Sequence, residues 1–321
     1  MAKTAVANQD ILIPKKGFRR FAHNFIRDWQ LYLMIAIPVV YIFIFSYLPM
    51  YGIQISFKEY SPRKGIVGSD WTGLENFKAF FQYYRWPNIV WNTLALSLYS
   101  MCVSFPMPIV LALVIHVHQG KKLKKFAQNL SYMPHFISLV VMMGILNSLL
   151  NPVSGLLGAF YRMLGLVAMP DIRSSAKAFR HLYIWSGVWQ GIGWGSILYV
   201  SCLSGVPEEL HEAAKLDGAS RLRRIFAIDL PTIMPTVGLM LIMNCSGLLS
   251  VGYQKAYLMQ RNTNTEYSEL ISTYVYKQGI RTGNMSFGSA VGLLQSFISL
   301  GLTVLSNWIA STLSDGEIAL F

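Results

Sequence analysis

The sequence predicts an all-α integral membrane protein with six transmembrane helices. Of its 321 residues, 53% are hydrophobic and 13% are charged, and the mean hydropathy is +0.41. Six apolar runs long enough to cross a bilayer alternate with polar connections, and none of the runs contains Asp, Glu, Lys or Arg. This pattern favours a polytopic membrane protein over two soluble domains of the same total length.

The apolar runs divide the chain into one basic segment and one membrane domain. Residues 1–30 hold no apolar run of signal-peptide type, so we expect an uncleaved cytosolic segment. Residues 31–321 form the predicted six-helix transmembrane domain, with one charged loop at 207–235. The predicted spans are 31–53, 89–115, 128–150, 181–204, 233–253 and 287–309.

The loop 207–235 is the only long charged segment between two strongly apolar runs. Pro207 fits the first turn of a helix, and Gly218 fits the left-handed residue that ends one. Ser220 can cap a second helix, which we expect Pro231 to interrupt. The sequence therefore predicts an amphipathic helix-turn-helix elbow that faces the cytosol.

The elbow also carries residues at fixed spacings. The motif reads Glu212-Ala213-Ala214, three residues, Gly218, nine residues, Ile228, one residue, Leu230-Pro231. It resembles the EAA loop of permease subunits in ATP-binding-cassette importers. The resemblance implies a type I importer permease fold whose first elbow helix docks on a cytoplasmic ATPase. An ordinary interfacial loop would explain the charge but not the spacing. The residues implied in coupling are Glu212, Ala213, Ala214, Asp217, Gly218, Ile228, Leu230 and Pro231.

Three other segments are similar to the permeases of sugar importers. They are DWTGLENFKAFF from Asp70, the triplet Asn92-Thr93-Leu94, and MPHFIS from Met133. The first span and its flanks resemble the branch of this family that handles oligosaccharides and polysaccharides, including alginate. The resemblance implies import of a carbohydrate by alternating access, and an acidic oligo- or polysaccharide is the expected cargo.

The resemblance also implies partners. They are a second and usually different permease subunit, two cytoplasmic ATPase subunits and an extracytoplasmic solute-binding protein. The chain has no P-loop, no HExxH and no GxSxG, so we expect neither ATP hydrolysis nor another enzymatic activity from it. ATP and Mg²⁺ would be bound by the partner ATPases, this chain would carry no cofactor, and no nucleic-acid partner is expected. The alternative is a membrane scaffold or sensor that docks a cytosolic partner through 207–235 without transport.

Six spans place both termini on one side of the bacterial cytoplasmic (inner) membrane. The count of basic residues does not decide which side, since 14 Lys and Arg lie on the proposed cytosolic side and 13 outside. Basic clusters next to span ends favour cytosolic termini, because charges close to the membrane set orientation. The EAA resemblance predicts the same topology.

The fourth span is the best candidate for contact with cargo. Gly187, Gln190, Gly191 and Trp194 share one helix face, and an aromatic ring beside an amide suits a sugar. Alternatively, Gly187, Gly191 and Gly195 form a packing seam between helices. The other candidates for the cargo path are His135, Asn244, Ser250 and Gln295. For the last three, a hydrogen bond between helices is the alternative.

No metal site is predicted. His116 and His118 are two residues apart on a helix and point to different faces. The spans also lack the carboxylates that a proton-coupled carrier needs, so we expect a partner to supply the energy.

The outer loops carry an unusual excess of basic residues. Thirteen Lys and Arg stand against 6 Asp and Glu, a net charge of +7, whereas the cytosolic side has a net charge of +5. An anionic cargo or an acidic binding protein would explain this excess, and tolerance of charge in long loops is the alternative. The residues concerned are Arg63, Lys64, Arg85, Arg162, Arg173 and Lys177.

Overall fold

Helices make up most of the described chain. The computed structural model describes residues 27–118, 120–166, 169–249 and 252–313, so 1–26 of the predicted basic segment lie outside the described residues. Two short strands, β1, Lys58–Glu59, and β2, Asp70–Trp71, pair antiparallel. The all-α prediction is confirmed.

The chain divides into two units, Met1–Gln54 and Ile55–Phe321. Helix α1, Trp29–Ile42, belongs to the first unit and continues through a π-helical turn, Phe43–Tyr47, into a 3₁₀ segment, Leu48–Phe57. Its residues are apolar on every face, as in a helix surrounded by lipid.

The second unit contains the other helices. In chain order they are α2, Gly65–Gly68; α3, Glu75–Gln82; α4, Trp86–Ser104; α5, Pro106–Val117; α6, Lys121–Tyr132; α7, Leu139–Leu149; α8, Leu156–Met163; α9, Ala176–Ser204; α10, Glu208–Leu216; α11, Arg221–Arg224; α12, Leu230–Ser246; α13, Tyr253–Met259; α14, Thr265–Ser268; α15, Ile271–Val275; and α16, Met285–Leu313.

Four helical stretches in the described ranges are long and apolar enough to cross a membrane: Trp29–Phe57, Trp86–Val117, Arg221–Cys245 and Met285–Thr312. Helix α9 has 29 residues, enough length to cross, but its Gly, Trp, Gln and Ser residues make it less apolar than these four. A bent helix pair brings the number of apolar candidates to five. Five of the six predicted spans overlap these stretches, and the fourth, 181–204, falls within α9. The fifth is predicted too late in the chain, because the helix occupies Arg221–Cys245 rather than 233–253.

The predicted third span is not one straight helix. Helix α6 runs on through a 3₁₀ turn, Met133–Phe136, and this stretch meets α7 at an angle of 101°. Ser138 then caps α7, because its Oγ accepts from Val141 N at 3.4 Å. The bend therefore lies at Ile137–Ser138, where both residues are extended and the new cap begins the next helix.

The prediction that Pro231 interrupts the elbow's second helix is wrong. Helix α11 continues through a π-helical turn, Ile225–Asp229, into α12, and Arg221–Cys245 is one helical stretch. Proline removes an N–H donor and crowds the carbonyl one turn earlier. A wider π turn just before Pro231 accommodates both effects without ending the helix.

Helix α9 lies at the centre of the second unit. It contacts α4, α5, α6, α12, α13 and α14. Its buried Phe179, Ile184 and Val188 pack with Leu96 and Leu270, while its last turns join a second apolar cluster. The predicted cargo-facing helix is thus also the main packing element of the unit.

The Asn92-Thr93 pair ties helix α4 to the 264–275 region. Asn92 is 3% exposed, and its Nδ2 donates to the carbonyl oxygens of Glu266 and Glu269 at 2.7 and 3.2 Å. Its Oδ1 accepts from Arg180 at 2.9 Å, and Thr93 Oγ1 accepts from Ile271 N at 3.0 Å. Buried polar groups satisfied in this way fix one arrangement of these elements.

Candidate functional site

The first half of the elbow is a short, well-terminated helix. Helix α10 follows Pro207 and has Glu208 and Glu209 in its first turn, where the helix dipole favours negative charge. Gly218 has a φ of +76°, and its N–H donates to Lys215 O at 3.0 Å while Ala219 N donates to Ala214 O at 2.9 Å. This pair of hydrogen bonds is a Schellman motif, which confirms the predicted turn at Gly218.

The surface of α10 is available for contact with another protein. Glu212, Ala213 and Asp217 are exposed, and Ala214 is half-buried. Leu216 is 89% exposed, and Leu222 on the next helix is 67% exposed. Exposed leucines beside exposed acidic groups are typical of a docking surface.

The second half of the elbow is structural. Ser220 Oγ accepts from Arg223 N at 3.3 Å and caps α11, as predicted. Leu230 packs against a cluster formed by Ile109, Leu203 and Ile233. Ile228 is half-buried and Pro231 is exposed. The motif therefore joins an exposed helix to a segment anchored at the base of α12.

Three of the predicted cargo-path residues meet at the bend between α6 and α7. The rings of His135 and Trp194 stack with centroids 4.4 Å apart and planes 5° apart. Both side chains remain exposed, Trp194 to 50%. Gln190 Nε2 donates to Ile137 O at 2.8 Å, so its amide supports the bent backbone.

The glycines of α9 do not form a single packing seam. A Cβ at Gly191 would meet nothing within 4 Å, whereas one at Gly195 would lie 3.0 Å from Pro108 Cγ. The closest helix contact is at Gly193, where a Cβ would lie 2.0 Å from Ser131 O. Gly187 faces a different neighbour, because a Cβ there would lie 2.9 Å from Lys255 Nζ.

Lys255 brings a buried cation next to the predicted cargo face. Its Nζ donates to Tyr183 O at 2.6 Å and lies 4.6 Å from the centre of the Tyr183 ring. The sequence does not predict this contact, because Lys255 lies just beyond the predicted fifth span.

The remaining cargo-path candidates do not join this group. Asn244 Nδ2 donates to Met240 O of its own helix at 2.8 Å, and Gln295 Nε2 donates to Leu249 O at 2.5 Å. Ser250 lies outside the described residues. Their roles in the path stay predictions.

Comparison with known proteins identifies the family. Residues 104–315 match the model of the binding-protein-dependent transport system inner membrane component. The chain belongs to this family. It is a permease of an inner-membrane transport system that works with a binding protein, and its relatives are transport subunits rather than enzymes.

Relatives of known sequence and structure cover nearly the whole chain. The polygalacturonan/rhamnogalacturonan transport system permease protein YteP of Bacillus subtilis is 35% identical over 311 residues, 97% of each chain. Protein LplB of the same organism is 35% identical over 284 residues, 88% of this chain and 89% of LplB.

A permease chain of a bacterial alginate transporter, crystallised with an alginate pentasaccharide-bound periplasmic protein, superposes with a TM-score of 0.84. It is 32% identical over 92% of this chain and 98% of its own. The likeness confirms the predicted type I importer permease fold.

The permease also contains a cluster that the sequence analysis missed. Asp229, the residue between Ile228 and Leu230, is fully buried, and its Oδ1 lies 3.1 Å from His211 Nε2 and 3.5 Å from His116 Nε2. His118 is exposed, in keeping with the prediction that it does not pair with His116. No spacing rule could find this cluster, because the fold brings its members together from three helical segments.

Most of the basic residues in the proposed outer loops already have partners. Lys64 pairs with Asp70, Arg85 with Glu269 and Arg173 with Asp171, and Arg162 donates to Pro152 O. The hydrogen bond from Arg173 lowers the pKa of Asp171 to about 2. Among these six residues of the described chain, Arg63 and Lys177 are exposed and have no ion pair within 4.0 Å.

Proposed function

We propose that the chain is one permease subunit of an ATP-driven importer and that α10 is the helix through which a cytoplasmic ATPase drives it. The observation that carries the proposal is the exposed surface of α10, with Glu212 and Leu216 outermost, held by a Schellman turn. Burial of an exposed leucine side chain by a partner protein removes apolar surface from water and stabilises the complex. An ATPase groove is the partner that the EAA motif implies.

The proposed assembly has a second permease subunit, two ATPase subunits and an extracytoplasmic solute-binding protein. Both termini and α10 would lie in the cytosol. ATP binding closes the ATPase pair, draws the coupling helices together and opens the cavity outward, and hydrolysis resets the cycle. The coupling residues, from Glu212 to Pro231, act at the ATPase contact and at the base of α12.

The proposed cargo is an acidic oligosaccharide or polysaccharide. Among the relatives, YteP is named for polygalacturonan/rhamnogalacturonan and the transporter of known structure for alginate, all of which contain uronic acids. Relatives of 25% and 27% identity are named for arabinooligosaccharides and sn-glycerol-3-phosphate. The exposed His135–Trp194 stack supplies an aromatic face for the C–H surface of a sugar ring. Exposed Arg63 and Lys177, which have no ion pair within the described residues, can attract a carboxylate.

Copurification and ATPase assays test the transport proposal. The tagged chain, expressed with the ATPase and permease encoded beside it, should copurify with both and hydrolyse ATP faster when loaded binding protein is added. Copurification without such stimulation would favour the scaffold alternative. Failure to copurify with any ATPase would refute the coupling assignment.

Uptake into reconstituted vesicles tests the cargo. We expect an acidic oligosaccharide to enter faster than a neutral one of equal length, and the advantage to shrink as salt screens exposed charges beyond about 8–10 Å. Arg63→Gln with Lys177→Gln should reduce the advantage, while Lys64→Gln, which removes a paired lysine, is the control. Equal uptake of both sugars at every salt concentration would leave a neutral cargo.

A further inference from the structure

A buried carboxylate in the elbow lacks a hydrogen-bond partner. Asp229 is 0% exposed, and neither of its carboxylate oxygens forms a hydrogen bond in the described chain. An ionised carboxylate removed from water costs several kcal/mol unless an opposite charge compensates it. The groups nearest to it are the two imidazoles of His116 and His211.

The three side chains bring their potential ligand atoms close together. His116 Nε2, His211 Nε2 and one Asp229 carboxylate oxygen all lie within 4.8 Å of one another. Tetrahedral Zn²⁺ with bonds of about 2.0–2.1 Å places its ligand atoms roughly 3.3 Å apart. The two N–O separations of 3.1 and 3.5 Å bracket that value.

We propose that His116, His211 and Asp229 form a binding site for a divalent transition metal, with Zn²⁺ as the preferred ion. Two imidazoles and one carboxylate make a ligand set that favours Zn²⁺ and related ions over Mg²⁺ or Ca²⁺, which prefer oxygen ligands. The bound ion supplies the positive charge that the buried carboxylate lacks.

The position of the site determines what the metal would do. His116 lies in the last turn of α5, His211 lies on α10, and Asp229 ends the π-helical turn before α12. One ion therefore joins the proposed coupling helix to two elements of the membrane domain. The ion fastens α10 to the membrane domain by directed bonds, whereas α10 has no buried residue of its own to hold it.

The surroundings leave room for a fourth ligand. The cluster opens on a cavity of about 590 Å³ whose rim carries Lys121, Lys124, Lys215, Arg221 and Arg224. These cations repel any metal ion, so binding depends on direct coordination by the three ligands rather than on the field of the cavity. The fourth position would take a water molecule or a small anion.

Metal titration of the full chain in detergent tests the assignment. After removal of metals, isothermal titration with Zn²⁺ should show one equivalent bound in the micromolar range or tighter, and Mg²⁺ should not bind. His211→Ala and Asp229→Asn should each weaken Zn²⁺ binding at least tenfold. His118→Ala is the matched control, because His118 is exposed on the same cavity wall, and it should leave the affinity unchanged.

X-ray absorption of the unsubstituted Zn²⁺-bound chain gives an answer that does not depend on how the variants fold. Two imidazole nitrogens and at least one oxygen should surround the metal. Sulfur in that shell would place the ion on the free cysteines, Cys102, Cys202 or Cys245, and overturn the proposal. Absence of stoichiometric binding, or equal affinity in Asp229→Asn, would do the same. None of these readouts depends on transport.

Discussion

The close approach of α9 to α6 at Gly193 predicts that a substitution at this position destabilises the protein. A Cβ at position 193 would lie 2.0 Å from Ser131 O, 2.3 Å from Ser131 C and 2.8 Å from Tyr132 N, all backbone atoms. Ordinary contact begins at 3.4 Å, so Gly193→Ala must move the two backbones apart by more than 1 Å. Overpacking of this kind costs about 1–3 kcal/mol. We expect Gly193→Ala to lower the free energy of unfolding by that amount.

The same displacement should reach the aromatic stack, because Trp194 is the next residue. Separation of the helices pulls Trp194 from His135 and stretches the hydrogen bond from Gln190 to Ile137 O. Unfolding of the purified chain in detergent, followed by tryptophan fluorescence, measures both stability and the environment of the ring. Trp194→Phe in each background isolates the signal of that residue.

Gly191→Ala is the matched control on the same helix. Nothing lies within 4 Å of its Cβ, so the substitution should be neutral or should stabilise α9 by up to about 1 kcal/mol. If Gly193→Ala and Gly191→Ala have the same stability, the close approach of α9 to Ser131 is not the contact that holds these helices.

Three further predictions concern the elbow and the buried asparagine. Glu212→Lys should abolish stimulation of ATPase activity by loaded binding protein, while Glu209→Lys, the same charge reversal outside the motif, should have a smaller effect; normal uptake by Glu212→Lys would refute docking at this residue. Gly218→Val should cost about 1–2 kcal/mol and reduce recovery of the intact complex, whereas Gly218→Asn should be nearly normal, since the cost lies only in the positive φ. Asn92→Leu leaves Arg180 and two carbonyl oxygens without their partner and should cost about 2–4 kcal/mol in detergent unfolding, and exposed Asn88→Leu on the same helix should cost little.

The sequence predicts where the helices lie better than how they are joined. Apolar runs indicate the spans, because a helix needs about twenty apolar residues to cross the hydrocarbon core, whichever helices it packs against. The 101° bend at Ile137–Ser138 and the unbroken passage through Pro231 depend on local backbone conformations that hydropathy does not register. Pro134 and Pro231 both lie inside helical stretches, so the prolines do not mark where the helices end.

In the candidate site, too, local features are predictable from the sequence and contacts between distant segments are not. Local features of the elbow follow from the sequence, because Gly218 and Ser220 act through their own backbone and nearest neighbours. The stack of His135 on Trp194 joins two residues that were predicted separately, and their contact depends on how α9 meets the bend. Lys255 beside Gly187 could not be predicted, since the contact joins a helix to a segment 68 positions later in the chain.

The EAA motif connects the proposed docking helix, α10, to α9, which carries the proposed cargo path. Helix α9 ends at Ser204 and α10 begins at Glu208, so only three residues separate the helix that carries Trp194 from the proposed docking helix. At its other end, α10 turns at Gly218 into the segment whose Leu230 packs against Leu203 of α9. Both ends of α10 are thus tied to the same end of α9. Because packed helices move as rigid bodies, a displacement of α10 by its partner must shift α9, and with it the aromatic stack.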